Sequence, residues 1–151
     1  MKKYLFIICI TLFFSCKDNT NRTNQIENTK ITSLQGAWEL DSFFNYGVNG
    51  SVDTIKSSNS FKQMKMFSET KIMWSRLRTT DSLDWFGVGN YTFKDGILTE
   101  ILNYGSKAMN SRIKAKKNFI FNITLEENTF TQIEYDSLGK PIYAEKYLRI
   151  K

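Results

Sequence analysis

The sequence predicts an all-β domain of about eight antiparallel strands, set behind an export signal and a polar tether. Three observations carry this expectation. Short segments alternate apolar with polar residues, turn signals recur between them, and the region after residue 33 contains one proline and no cysteine.

At the N-terminus Lys2 and Lys3 precede an apolar run over residues 4–14, and Ser15 and Cys16 follow. The run has 11 residues, whereas a membrane-spanning helix needs about 20. It therefore reads as an export signal over residues 1–15, absent from the mature protein. Phe13, Phe14, Ser15 and Cys16 resemble the lipobox of bacterial lipoproteins, with Phe13 where Leu is usual. That resemblance implies acylation of Cys16 and a membrane-anchored, exported lipoprotein, with the outer membrane as the expected location and the leaflet left open. Several acyl chains, each worth about 0.8 kcal/mol per buried methylene, make such an anchor effectively permanent.

Cys9 lies in the discarded run and Cys16 is taken by lipid, so the folded part has no thiol. Disulfides, a thiol nucleophile and thiolate metal sites are excluded, and stability has to come from a hydrophobic core. Loss of Lys2 and Lys3 leaves 19 basic residues against 15 acidic ones, a net charge of +4. That mild excess lacks the clustered stripe of a nucleic-acid binder. Residues 16–33 are rich in Asn, Thr, Lys and Glu, and read as a flexible linker. Residues 34–151 have the size of one domain.

Within that domain the first strand spans residues 37–44, and Asn49-Gly50 is the strongest hairpin turn signal. Ser68 to Thr70 separates strands at 61–67 and 72–77, although Phe61, Met64 and Ser68 also suit a helix. Lys94, Asp95 and Gly96 turn the chain between 89–93 and 97–104. Residues 105–118 read as a loop or a short helix. Phe119, Phe121, Ile123 and Leu125 then alternate with Ile120, Asn122, Thr124 and Glu126, giving one apolar face. Turns at Glu127-Asn128 and over residues 136–139 lead into strands at 129–135 and 142–150, a three-stranded meander.

So many antiparallel strands protect their edges by closing into a barrel or by pairing two sheets. Gly36, Ala37 and Trp38 resemble the Gly-x-Trp of lipocalin and calycin barrels, and Arg149 stands near the end of the last strand. The resemblance implies a closed up-and-down barrel whose end is plugged by Trp38 with Arg149 across its ring. Lys65-Met66-Phe67, Met73-Trp74, the segment from Gly89 to Phe93, Leu98-Thr99-Glu100 and the closing Tyr147-Leu148-Arg149 extend the likeness to small lipocalin-like bacterial lipoproteins. Those relatives often carry histidines where this chain has Lys71 and Ile101, so no histidine-built site is carried over.

The chain has no histidine at all, which excludes catalytic triads, Cys-His pairs and imidazole metal sites. Asp81, Asp84, Glu100, Glu126, Glu127, Glu134 and Glu145 form no recognised acid–base spacing, and the chain reads as a non-enzyme without cofactor or metal. Glu100 stands out. If Leu98, Glu100 and Leu102 point inward, Glu100 is a buried carboxylate that needs a partner, with Arg76, Tyr91 and Arg149 as candidates. If Ile101 points inward instead, Glu100 is solvated. Gly87-Val88-Gly89 lacks the rest of a dinucleotide fingerprint. Lys107, Arg112, Lys114, Lys116 and Lys117 form a basic stretch without acids, read as a solvated loop or a contact for lipid headgroups or an acidic partner.

A small closed barrel either fills its interior or encloses one ligand. The expected function is binding of a small apolar or amphipathic molecule, with Met66, Met73, Trp74, Tyr91, Phe93, Glu100, Tyr104 and Phe121 as ligand-binding residues, and Phe44, Leu102 and Ile123 completing the lining. The alternative is a filled barrel acting as a non-catalytic surface protein, with Leu83, Trp85 and Phe86 in an exposed loop meeting a protein or glycan.

Overall fold

A computed structural model of the protein describes residues 33–151. The expected signal, Cys16 and residues 17–32 of the linker lie outside the described residues. The strands are β1 (Gly36–Tyr46), β2 (Val52–Lys56), β3 (Phe61–Phe67), β4 (Lys71–Arg78), β5 (Trp85–Lys94) and β6 (Ile97–Gly105). Helix α1 (Lys107–Ala115) follows, then β7 (Asn118–Leu125), β8 (Thr129–Tyr135) and β9 (Pro141–Arg149). Each of β3 to β9 pairs antiparallel with its neighbour in the chain, and β1 pairs with both β3 and β9. Eight strands therefore close into an up-and-down barrel without an open edge. The remaining strand, β2, pairs only with the far half of β1, on the side opposite β9.

Turn chemistry explains the connections. Asp95 (φ 51°) and Gly96 (φ 76°) both take left-handed conformations, the geometry a two-residue hairpin requires of the Asp-Gly pair between β5 and β6. The stretch left open as loop or helix is α1, started by Ser106, whose hydroxyl accepts from Met109 N at 3.2 Å.

The closed end is an aromatic plug. Trp38 meets Phe130 edge-on at 4.8 Å, Phe130 stacks on Tyr147 at 4.6 Å, and Phe67 packs against both Tyr91 and Phe130. Leu34, Leu40, Ile72 and Leu98 fill the space between. The Arg149 guanidinium lies 3.9 Å from the centre of the Trp38 ring. It also donates to the carbonyls of Ser33, Gln35 and Glu127 at 2.6–2.8 Å, tying the start of the domain to its last strand. Gly36 has φ +119°, and a Cβ there would sit 3.0 Å from Arg149 Nη1. The positive φ is what favours glycine here, and any Cβ would also press on the guanidinium.

The inward faces differ from the sequence reading at several positions. On β3 the inward set is Phe61, Gln63, Lys65 and Phe67, which sends Met66 outward. On β4 its partner Met73 also faces out. A register shift at Val88/Gly89 directs Tyr104 outward as well. Met66, Met73 and Tyr104 are 45%, 50% and 56% exposed, so they do not line the interior. A bulge between Leu40 and Ser42 turns Phe43 inward, where it stacks on Tyr143, in place of the expected Phe44. Strand β5 starts at Trp85, earlier than expected, and this tryptophan is half-buried inside the mouth while Leu83 and Phe86 are exposed.

Candidate functional site

Above the plug the barrel carries a layer of polar side chains. Alternation on β3, β6, β8 and β9 points Gln63, Lys65, Glu100, Gln132, Glu145 and Tyr147 inward, and all are buried. Lys65 Nζ donates to Glu100 Oε1 at 2.6 Å and to Gln132 Oε1 at 2.9 Å. Gln132 Nε2 and the Tyr147 hydroxyl donate to Glu145 Oε2 at 2.8 and 2.6 Å. Gln63 Nε2 donates to the Tyr147 hydroxyl at 2.7 Å, and Arg76 reaches down from β4 to bind both Glu145 and Gln63. Every charge in the layer thus has a partner, the condition under which buried charge is tolerated.

Glu100 is 2% exposed. Burial pushes its carboxyl above the ordinary range, against the opposing pull of the Lys65 ammonium. The phenols of Tyr147 and Tyr143 are driven well up, first by burial and then by Glu145. Of the partners expected for Glu100 none holds it. Arg76 is engaged by Glu145, Tyr91 donates to the Ser68 carbonyl at 2.8 Å, and Arg149 sits at the closed end. The actual partner, Lys65, lies on a strand distant in sequence that closure brings across the interior.

Beyond this layer, toward the open end, lies a cavity of about 120 Å³. Its floor is the polar layer. Trp74, Leu102, Met109, Phe119 and Phe121 supply apolar walls, and Arg76, Arg78, Trp85, Arg112 and Tyr143 complete the lining. A wider cleft of about 490 Å³ adjoins it between the β2 hairpin and the barrel mouth, sharing Arg76 and Arg78. Of the residues expected to bind a ligand, Trp74, Glu100 and Phe121 line the cavity. Tyr91 and Phe93 lie on the inner side, packed against the core, with Tyr91 in the plug itself. Sequence reasoning missed Lys65, Gln63 and Gln132 as members of the site. The available signal was the pair Phe61 and Phe67, which share a face with Gln63 and Lys65.

A closed antiparallel barrel with a plugged end, a Trp–Arg pair at the plug and a cavity at the other end defines a lipocalin-like fold. Solved structures agree. A lipocalin-like protein from Bacteroides uniformis superposes with a TM-score of 0.53 at 18% identity, covering 78% of this chain and 98% of that one. A protein from Bacteroides eggerthii superposes with a TM-score of 0.51 at 15% identity, covering 78% and 100%. At the level of sequence no family model and no curated protein matches the chain.

Proposed function

We propose that the protein is an exported lipoprotein, with a signal over residues 1–15, an acylated Cys16 and a linker to residue 33, whose barrel over residues 34–151 binds a small amphipathic molecule at its open end. The observation that carries the binding reading is the cavity of about 120 Å³, with charged residues and aromatic walls at its mouth. Such a cleft, apolar on its sides with a few convergent polar groups, is the usual form of a small-molecule site. The reading is one of binding rather than catalysis, because Glu100 and Glu145, the carboxylates that line the cavity, are each engaged by a cation.

Native mass spectrometry of the gently purified domain tests the binding reading. A copurifying small-molecule adduct that disappears when Trp74→Glu replaces an aromatic wall of the cavity with a charge is the expected result. A clean mass that stays clean after incubation with a cell extract refutes it. Palmitate labelling tests the anchor: label in the wild type and none in Cys16→Ser is expected, and an unlabelled wild type rejects it. A second reading, a barrel that presents its outer wall to a protein or glycan, is favoured by the exposed apolar side chains of Met66, Met73, Phe86 and Tyr104.

A further inference from the structure

Resting on that reading, we infer that the ligand is a small organic acid whose anionic group is held at the cavity mouth by Trp85, Arg112 and Arg78. Three separate features of the mouth converge on this assignment.

The first is an unused donor. Trp85 lines the cavity, and its Nε1 is buried without a hydrogen-bond partner. Buried donors in native proteins are nearly always satisfied, so an orphan beside a cavity marks a place for an acceptor.

The second is unmatched charge. The carboxylates around the cavity are already paired, Glu100 with Lys65 and Glu145 with Arg76. Neither of them engages Arg78 or Arg112. Arg78 meets Asp81 at 3.5 Å and Thr80 Oγ1 at 3.3 Å, both through Nε on the exposed side, so its terminal amino groups are not used in either contact. Arg112 forms no ion pair among the described residues, and its guanidinium rests 4.9 Å from the centre of the Trp85 ring. Stacking on the indole holds that cation beside the unused N–H while leaving its own donors free.

The third is shape. Trp74, Leu102, Met109 and Phe119 wall the space next to these donors. The cavity of about 120 Å³ is close to the roughly 150 Å³ that accommodates benzene in an apolar protein interior. The fitting guest is therefore an oxyanion on a single ring or a short chain, with the acid at the mouth and the apolar part between the aromatic walls.

The test uses three probes with one ring and different heads: benzoate, benzyl alcohol and benzylammonium, titrated calorimetrically into residues 17–151 at neutral pH. Benzoate is expected to bind about tenfold more tightly than benzyl alcohol, with benzylammonium weakest, since a charge-assisted hydrogen bond is worth at least that factor. Arg112→Gln and Trp85→Phe should each weaken benzoate about five- to tenfold and weaken benzyl alcohol less, since the same donors bind a neutral oxygen more weakly than a carboxylate. Arg112 is exposed on α1 and Trp85→Phe keeps a ring in place, and thermal melts of both variants verify that they fold. Equal or tighter binding of benzyl alcohol or benzylammonium overturns the acid assignment while the binding reading stands. Benzoate binding that neither substitution weakens moves the anion elsewhere and also overturns it. Silence from all three probes overturns the acid assignment, and the native mass spectrum then decides the binding reading on its own.

Discussion

Replacing Lys65 and Glu100 separately and together measures whether the polar layer behaves as one unit. In Lys65→Met the Glu100 carboxylate loses its cation and Gln132 Oε1 loses its donor. In Glu100→Leu the ammonium keeps only Gln132 and the ring faces of Phe121 and Tyr147, at 5.3 and 5.8 Å. Both side chains of the pair are 2–3% exposed, so each single substitution strands a buried charge and should cost about 3–5 kcal/mol. The double variant strands no charge. It leaves only the Gln132 carbonyl oxygen unpaired, at about 1–3 kcal/mol, and adds apolar contact with Phe121. Urea unfolding of the domain followed by tryptophan fluorescence should therefore find the double variant more stable than either single one, with a coupling of at least about 2 kcal/mol. Additivity within about 0.5 kcal/mol would show that the pair is not buried as described.

Arg149→Met, which removes three carbonyl contacts and the cation over Trp38, should destabilise the domain by about 2 kcal/mol in urea; an unchanged midpoint rejects the clamp. Gly89→Ala places a Cβ on top of the Ile101 carbonyl oxygen, with Leu102 Cα at 2.7 Å, and should cost about 3 kcal/mol because backbone has to move. A melting curve matching the wild type counts against the Val88/Gly89 register. The folded state holds the Glu100 proton more tightly than the unfolded chain, so the stability contributed by its neutral form is present below the ordinary value of 4.5 and lost as pH rises above it. Melts from about pH 4 to about pH 8 should show the wild type losing stability relative to Glu100→Gln, and parallel curves refute the shift.

The strands were readable wherever hydropathy and pairing agree. On β7 the apolar face of Phe119, Phe121, Ile123 and Leu125 is the inner face, and the Asp95-Gly96 turn is where composition places it. Strand β3 was misread because its outer face, with Met64 and Met66, is more hydrophobic than an inner face holding Gln63 and Lys65. A side chain's hydropathy cannot report that a polar residue is matched from across a barrel. Lys65 and Glu100 are 35 residues apart, and each strand alone leaves its orientation ambiguous. The bulge in β1 and the shift at Val88/Gly89 reverse alternation within a strand, which a strict period of two does not anticipate. The Trp38–Arg149 geometry was foreseeable only through likeness to a known barrel, since nothing local links residues so far apart.

The seam between β1 and β9 has a kinetic side. Gln35 and Arg149 meet across 114 positions of chain, so the ring cannot shut until the last strand arrives. Until then both strands expose unpaired backbone to solvent and to other copies of the chain. Joining such distant segments carries a large loop-closure entropy before any contact rewards it, which places the domain among slow, late-committing folders. The interval before closure is thus the time when the chain is most open to mispairing with its own kind, and the clamp at Arg149 ends it.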